Sequence, residues 1–293
     1  MKIGNKPLDG IFTALLTPFD QNDRVNEKAL ERLVKFNLEM GVTGFYVGGT
    51  TAEAFMLSTE ERKQVMDVVA ATAPESTLIA HIGSLDVNEA VELGNHAKKL
   101  SYDVLSSVAP FYYKFNFNEI KNYYFHLANS CDMPMLVYHF PLFSGVNLGV
   151  AEIAEFLNDD RFVGLKFTSN EFFLLEQVKA AFPDKAIYNG YDEMFMAGLS
   201  MGVCGGIGST YNFMADKFVK IQKLFRENRI AEAQEIQREA NRIISVLCKV
   251  GVMPAEKEVL NQLGFDFGTC RLPFGKPTEE QKELIAKEIV AHL

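Results

Sequence analysis

The 293-residue sequence has no H-x-x-x-H or H-E-x-x-H pair among its five histidines (His81, His96, His126, His139, His292), so spacing offers no metal site. Its four cysteines (Cys131, Cys204, Cys248, Cys270) lie far apart without a C-x-x-C step, which suits unpaired thiols in a reducing compartment; a cytoplasmic protein is expected. No stretch reaches the roughly 18 apolar residues that a spanning helix needs. Met1-Lys2-Ile3-Gly4-Asn5-Lys6-Pro7 leads into no apolar signal core, so a soluble, unprocessed chain is expected. Excess positive charge is missing too. The 29 basic and 38 acidic side chains give a net charge of −9, unfavourable for a phosphate backbone, which argues against nucleic-acid binding. A pocket with its own local field can still take a small anion. Low-complexity and linker-like stretches are absent, and 48% hydrophobic against 23% charged residues supports a large core.

What the chain does contain is a regular alternation of short β-branched apolar runs with helix-length amphipathic segments, the mark of βαβ units on a parallel sheet. The runs are Ile11 to Thr17, Gly44 to Val47, Leu78 to Ile82, Val104 to Val108, Met135 to Phe140, Val163 to Phe167, Ala186 to Tyr188 and Gly205 to Ile207. Helical patterns follow them at Glu27 to Met40, Thr59 to Thr72, Val87 to Leu100, Asn118 to Ser130, Val150 to Leu157, Phe172 to Ala181, Glu193 to Met201 and Ala215 to Arg226. Ser58-Thr59-Glu60-Glu61 has capping-box spacing, which marks a helix start. Eight strand–helix units predict a (β/α)8 TIM barrel over 1–227. Residues 228–293, with helical patterns at Ile230 to Lys249, Ala255 to Leu263 and Thr278 to His292, predict a C-terminal helical extension packed on it.

In such barrels the chemistry sits at the carboxyl ends of the strands. Lys166 interrupts the apolar run Val163-Gly164-Leu165-Lys166-Phe167 near the end of the sixth strand, on the same face as Gly164. Facing the interior, its amine would lose its proton readily and attack a carbonyl; the alternatives are pairing to a carboxylate or snorkelling past the strand end. Tyr138 ends the neighbouring fifth strand, as a pocket hydroxyl or as core. Gly48-Gly49-Thr50-Thr51-Ala52-Glu53 offers free amides and two hydroxyls to an anion, or makes a plain turn. Gly205-Gly206-Ile207-Gly208-Ser209 is a second glycine-rich loop, at the place where barrels often bind phosphate. The carboxylates of Asn189-Gly190-Tyr191-Asp192-Glu193 can accept from sugar hydroxyls or serve as acids at a helix start. Phe111-Tyr112-Tyr113 can line a pocket or a subunit contact.

Taken together, these residues resemble the pyruvate-dependent aldolase family that includes dihydrodipicolinate synthase and N-acetylneuraminate lyase, over Gly10 to about Pro273. The resemblance implies that Lys166 forms a Schiff base, that Tyr138 shuttles protons with help from Thr50, and that Thr50 and Thr51 bind a substrate carboxylate. Lys166-Phe167-Thr168-Ser169, Asn189 to Glu193 and Gly205 to Asn212 are similar to the sialic acid branch. By that likeness Thr168, Gly190, Asp192, Glu193 and Ser209 hold the sugar-derived chain, and the reaction is reversible cleavage of N-acetylneuraminate to N-acetylmannosamine and pyruvate. The synthase branch carries an arginine where Phe143 stands, which disfavours a dicarboxylate product. Ala52 replaces the loop's usual glycine, and Asn170 stands where glycine is common. The resemblance further implies no metal or organic cofactor, and a homotetramer in which Tyr112 reaches a neighbour's site. Two rival readings are another pyruvate-dependent aldolase, acting on a 2-keto-3-deoxy sugar acid or resembling dihydrodipicolinate synthase, and a non-catalytic sugar-acid-binding protein. A phosphate-binding barrel isomerase rests on the second glycine-rich loop alone.

Overall fold

The computed structural model describes residues 1–293. Eight parallel strands close into a barrel: β1 (Gly10–Ala14), β2 (Gly44–Val47), β3 (Thr77–His81), β4 (Val104–Val108), β5 (Met135–His139), β6 (Phe162–Phe167), β7 (Ala186–Asn189) and β8 (Gly205–Gly208). Each pairs with its sequence neighbour, and β8 closes on β1. The helices between them are α1 (Glu27–Glu39), α2 (Thr59–Thr72), α3 (Val87–Lys99), α4 (Phe117–Cys131), α5 (Val150–Leu157), α6 (Phe172–Ala181), α7 (Phe195–Ser200) and α8 (Tyr211–Arg226). The TIM-barrel expectation therefore holds.

Strand alternation sorts the side chains into two cores. Phe12, Tyr46, Ile79, Val104, Leu136, Tyr138, Tyr188 and Ile207 point inward and fill the barrel. Their neighbours Ile11, Phe45, Leu78, Leu105, Val137, Leu165 and Ile187 point outward into a larger core beneath the helices. Both faces of every strand are thus buried, which is why parallel strands read as continuous apolar runs. A two-stranded hairpin, Lys2–Ile3 with Lys6–Pro7, precedes the barrel, and the Tyr188 hydroxyl donates to the Leu8 carbonyl behind it.

Local capping fixes the helix starts. At α2 the Ser58 hydroxyl accepts from Glu61 N at 3.2 Å, and the Glu61 carboxylate accepts from Ser58 N at 2.8 Å, the reciprocal box expected from the sequence. Most barrel boundaries shift by a residue or so, and three differences are larger or change the element. β1 ends at Ala14, short of Thr17, as the chain turns away from the sheet. α8 begins at Tyr211 and bends at Met214 (φ −142°, ψ 36°), ahead of the expected Ala215. The expected helix at Glu193 is a 3-10 turn, Asp192–Met194, running into α7.

Beyond α8 the chain continues as α9 (Ile230–Val250), α10 (Val252–Gln262) and α11 (Glu279–Glu288). Ala233, Gln237, Ala240, Ile244 and Leu247 recur at helical spacing and form the buried stripe of α9. No helix is long and apolar enough to cross a membrane.

Candidate active site

A cavity of about 740 Å³ opens at the carboxyl ends of the strands. Lys166 lines it, only 5% exposed and registered between Tyr138 on β5 and Tyr188 on β7. Its Nζ lies 4.2 Å from the centre of the Tyr138 ring and 4.3 Å from that of Tyr46. Among these rings the ammonium form loses its hydration. Burial lowers the pKa to about 7, opposed only by the more distant Asp192 carboxylate. Lys166 is therefore neither snorkelling nor salt-bridged, and near neutral pH a large share of it is free amine.

Burial pushes the Tyr138 phenol above its ordinary value, while the adjacent Thr50 and Thr168 hydroxyls work against that rise. Tyr138 thus stays protonated at neutral pH. It can pass a proton on only by taking one up in the same event, and hydroxyl neighbours permit that.

Thr50 and Thr51 enter the cavity from the loop after β2, where a 3-10 turn runs Thr50–Ala52. Ala52 N donates to Gly49 O and Glu53 N to Thr50 O, while the Thr50 and Thr51 amides donate to no other backbone group. Left-handed backbone falls on Gly48 (φ 74°) and Glu53 (φ 58°), so alanine at 52 causes no strain, and Asn170 also lies outside that region. His81 on β3 pins the loop from beneath. Its Nε2 accepts from Val108 N at 3.2 Å, which leaves the ring proton on Nδ1 to bond the Gly48 carbonyl at 2.9 Å. Burial lowers its pKa to about 3, so the ring is a neutral strut.

The Glu53 carboxylate turns away from the cavity toward α10. Lys257 Nζ stands 2.6 Å from it with both side chains buried, a charge contact rather than a well-angled hydrogen bond. The other Glu53 oxygen accepts from Arg271 N at 2.8 Å, which joins the loop to the last segment of the chain.

On the opposite side, Thr168, Gly190, Asp192, Glu193 and Ser209 all line the cavity. Gly190 is required there, because a Cβ would lie 1.8 Å from the Thr168 hydroxyl. Asp192 accepts from Thr210 N at 2.9 Å and from its hydroxyl at 2.7 Å through Oδ2, while buried Oδ1 has no partner. Burial raises the Asp192 pKa to about 6, despite the Thr210 bonds. The backbone of this loop is held from α9: Gln237 donates to Asp192 O at 3.0 Å and Asn241 to Glu193 O at 3.1 Å.

Of the residues expected at the site, Tyr112 alone lies outside the cavity, 84% exposed and in left-handed backbone (φ 74°). The sequence reading missed the second wall, formed by Ile244, Leu247, Val250, Met253, Phe274 and Lys276 of the extension. It also missed Glu256, although a signal was there: Val252, Glu256, Val259 and Leu263 share one helix stripe, and a carboxylate interrupts it. No group of three or more His, Cys, Asp or Glu side chains is placed to hold a metal ion.

The sequence pattern of the Dihydrodipicolinate synthetase family matches residues 7–292. An N-acetylneuraminate lyase of Fusobacterium nucleatum is 42% identical over 284 residues, covering 96% of this chain and 98% of its own. The structure of an F. nucleatum N-acetylneuraminate lyase complexed with pyruvate superposes with a TM-score of 0.91 at 40% identity, covering 96% of this chain and 97% of that one. A Clostridium difficile protein solved in complex with mannosamine superposes at 0.95 with 37% identity, covering 98% and 100%.

Proposed function

The chain belongs to the Dihydrodipicolinate synthetase family, and from that membership we propose that it is a class I aldolase that reversibly cleaves N-acetylneuraminate to N-acetylmannosamine and pyruvate. The observation that carries the chemistry is Lys166, a lysine buried among aromatic rings with no salt-bridge partner and a pKa near 7. The neutral amine adds to the C2 ketone of the open-chain sugar acid and water leaves, giving an iminium. The C3–C4 bond then breaks with its electron pair passing to C3, and the iminium becomes an enamine. Tyr138 takes the C4 hydroxyl proton while handing its own on, with Thr50 in the relay. Protonation at C3 and addition of water release pyruvate and restore the amine. The iminium is the electron sink, so the reaction needs no metal or organic cofactor.

The free amides and hydroxyls of Thr50 and Thr51 suit the substrate carboxylate. Asp192, Thr168, Gly190, Glu193 and Ser209 line the cavity with polar groups that suit a polyhydroxylated chain. Phe143 puts an aromatic ring in the wall where a second carboxylate would need a cation. In this reading residues 1–227 are the catalytic barrel and 228–293 the extension that completes the wall. The protein works in the cytoplasm as a homotetramer, and the exposed, left-handed Tyr112 reaches a neighbouring subunit's site.

Pyruvate release from N-acetylneuraminate and from 2-keto-3-deoxygluconate, measured side by side, tests the substrate. Turnover of N-acetylneuraminate with little from the shorter acid is expected. Turnover of the shorter acid alone rules the assignment out in favour of another pyruvate aldolase, and no turnover of either leaves only a binding protein.

A further inference from the structure

Glu256 on α10 is fully buried, although it lies on the apolar stripe where a leucine would cost nothing in desolvation. Its Oε1 accepts the Ser209 hydroxyl at 2.6 Å, and its Oε2 has no partner. Ser209 lines the cavity and Glu256 does not, so the carboxyl stands behind the serine in a second layer. A serine hydroxyl has one proton to donate and two lone pairs to offer. Burial raises the Glu256 pKa to about 8, and with Oε1 accepting the Ser209 proton, as the carbonyl oxygen of the neutral acid or as part of the carboxylate, the Ser209 oxygen can only accept from whatever occupies the cavity. Asp192, which also lines the cavity, has its carboxylate engaged by Thr210 through Oδ2, with Oδ1 buried over Gly208. The Ser209 oxygen therefore offers an acceptor to the region where the sugar-derived chain lies under the proposed function.

We propose that Glu256 is a specificity-determining positioning residue: it holds the Ser209 hydroxyl as an acceptor and so selects sugar acids whose distal hydroxyl donates a hydrogen bond there. The inference rests on the aldolase reading and deepens it. Glu256 touches neither the substrate nor Lys166, so its effect falls on binding of the long substrate and leaves imine formation alone. Pyruvate has no hydroxyl to present and is indifferent to Ser209.

The test compares wild type with E256L, E256Q, S209A and the double variant E256L/S209A. KM and kcat for N-acetylneuraminate are measured together with half-saturation by pyruvate in borohydride trapping. E256L should raise KM about tenfold, as expected for the loss of one hydrogen bond that orients the Ser209 hydroxyl, while kcat changes less than about threefold. The pyruvate half-saturation should not move, which also shows that the variant is folded. S209A should raise KM to the same extent and the double variant no further, since both act through one contact. E256Q keeps a carbonyl acceptor in the same place and should restore most of the lost affinity. An unchanged KM in E256L, parallel weakening of pyruvate trapping, or additive effects in the double variant would each overturn the inference. A wild type that releases no pyruvate from N-acetylneuraminate overturns the proposed function and the inference together, whereas an active wild type with indifferent variants overturns the inference alone.

Discussion

The cavity has two walls built by different means. Strand ends and their loops supply one: Lys166 and Tyr138 stand on strands of the closed sheet, and Thr50, Thr51, Thr168 and Asp192 in the segments that follow strands. The C-terminal extension supplies the other, mostly from apolar side chains such as Ile244, Leu247, Val250 and Met253. Barrel positions are rigid because every strand is hydrogen-bonded on both sides, and groups that must meet a reacting atom within a few tenths of an ångström belong there. The extension closes and shapes the space, and it reaches the chemistry through struts: Gln237 and Asn241 to the loop after β7, Lys257 and the Arg271 amide to Glu53, Glu256 to Ser209. Changes at Lys166 and Tyr138 should therefore act on turnover, and extension changes on stability and KM.

The largest effect is expected at the barrel wall. Lys166→Ala removes the nucleophile and should cut cleavage of N-acetylneuraminate at least about 10³-fold, with no change in the chain's melting temperature beyond a small gain from losing a buried amine. A residual rate within a factor of ten of wild type would show that the carbonyl is not activated by this lysine. Tyr138→Phe should reduce cleavage about 10²-fold, as expected for a lost proton relay, yet still trap pyruvate with borohydride. Equal loss of both would make the tyrosine an architectural residue rather than a proton carrier.

The pH dependence follows from the lysine alone. Its neutral form attacks, and burial brings its pKa from the usual 10.5 to about 7. The initial rate of pyruvate trapping should therefore climb about tenfold per pH unit below 7 and level off above it. A rate still climbing at pH 9 would mean that the amine is as basic as a surface lysine.

The extension should show the smallest effect on turnover and the clearest on folding. Lys257→Met leaves the Glu53 carboxylate buried without its cation, which should cost about 3 kcal/mol in urea unfolding while kcat falls only a few-fold. Removing both charges, in Glu53→Gln with Lys257→Met, should recover part of that loss. A single variant that unfolds like wild type would break the view that this pair ties the extension to the loop.

The barrel wall was the legible one. Lys166 stood out because a charge in a short β-branched run has few places to go, and period-2 alternation assigns its face once the barrel is assumed. Tyr138 was placed by its position at a strand end and Thr50, Thr51 and Asp192 by theirs after strands, while the family resemblance supplied their roles. The extension is harder to read because its wall residues, Ile244 and Leu247 among them, look like any helix stripe, whether it covers a core or a cavity. Glu256 and Lys257 sit side by side in a helix whose other buried positions are apolar, and adjacent charges of opposite sign normally signify a solvated face. Their partners, Ser209 and Glu53, lie 47 and more than 200 residues away in the chain, a pairing that only the closed barrel and its docked extension bring about. The bend at Met214 and the early start of α8 were hidden in the same way, since tertiary packing rather than local propensity sets them.

Borohydride reduction of the wild-type protein in the presence of pyruvate, followed by peptide mapping, addresses the Schiff-base claim most directly. The account predicts one covalent adduct, on the peptide containing Lys166. An adduct on another lysine, or none at all, would contradict it.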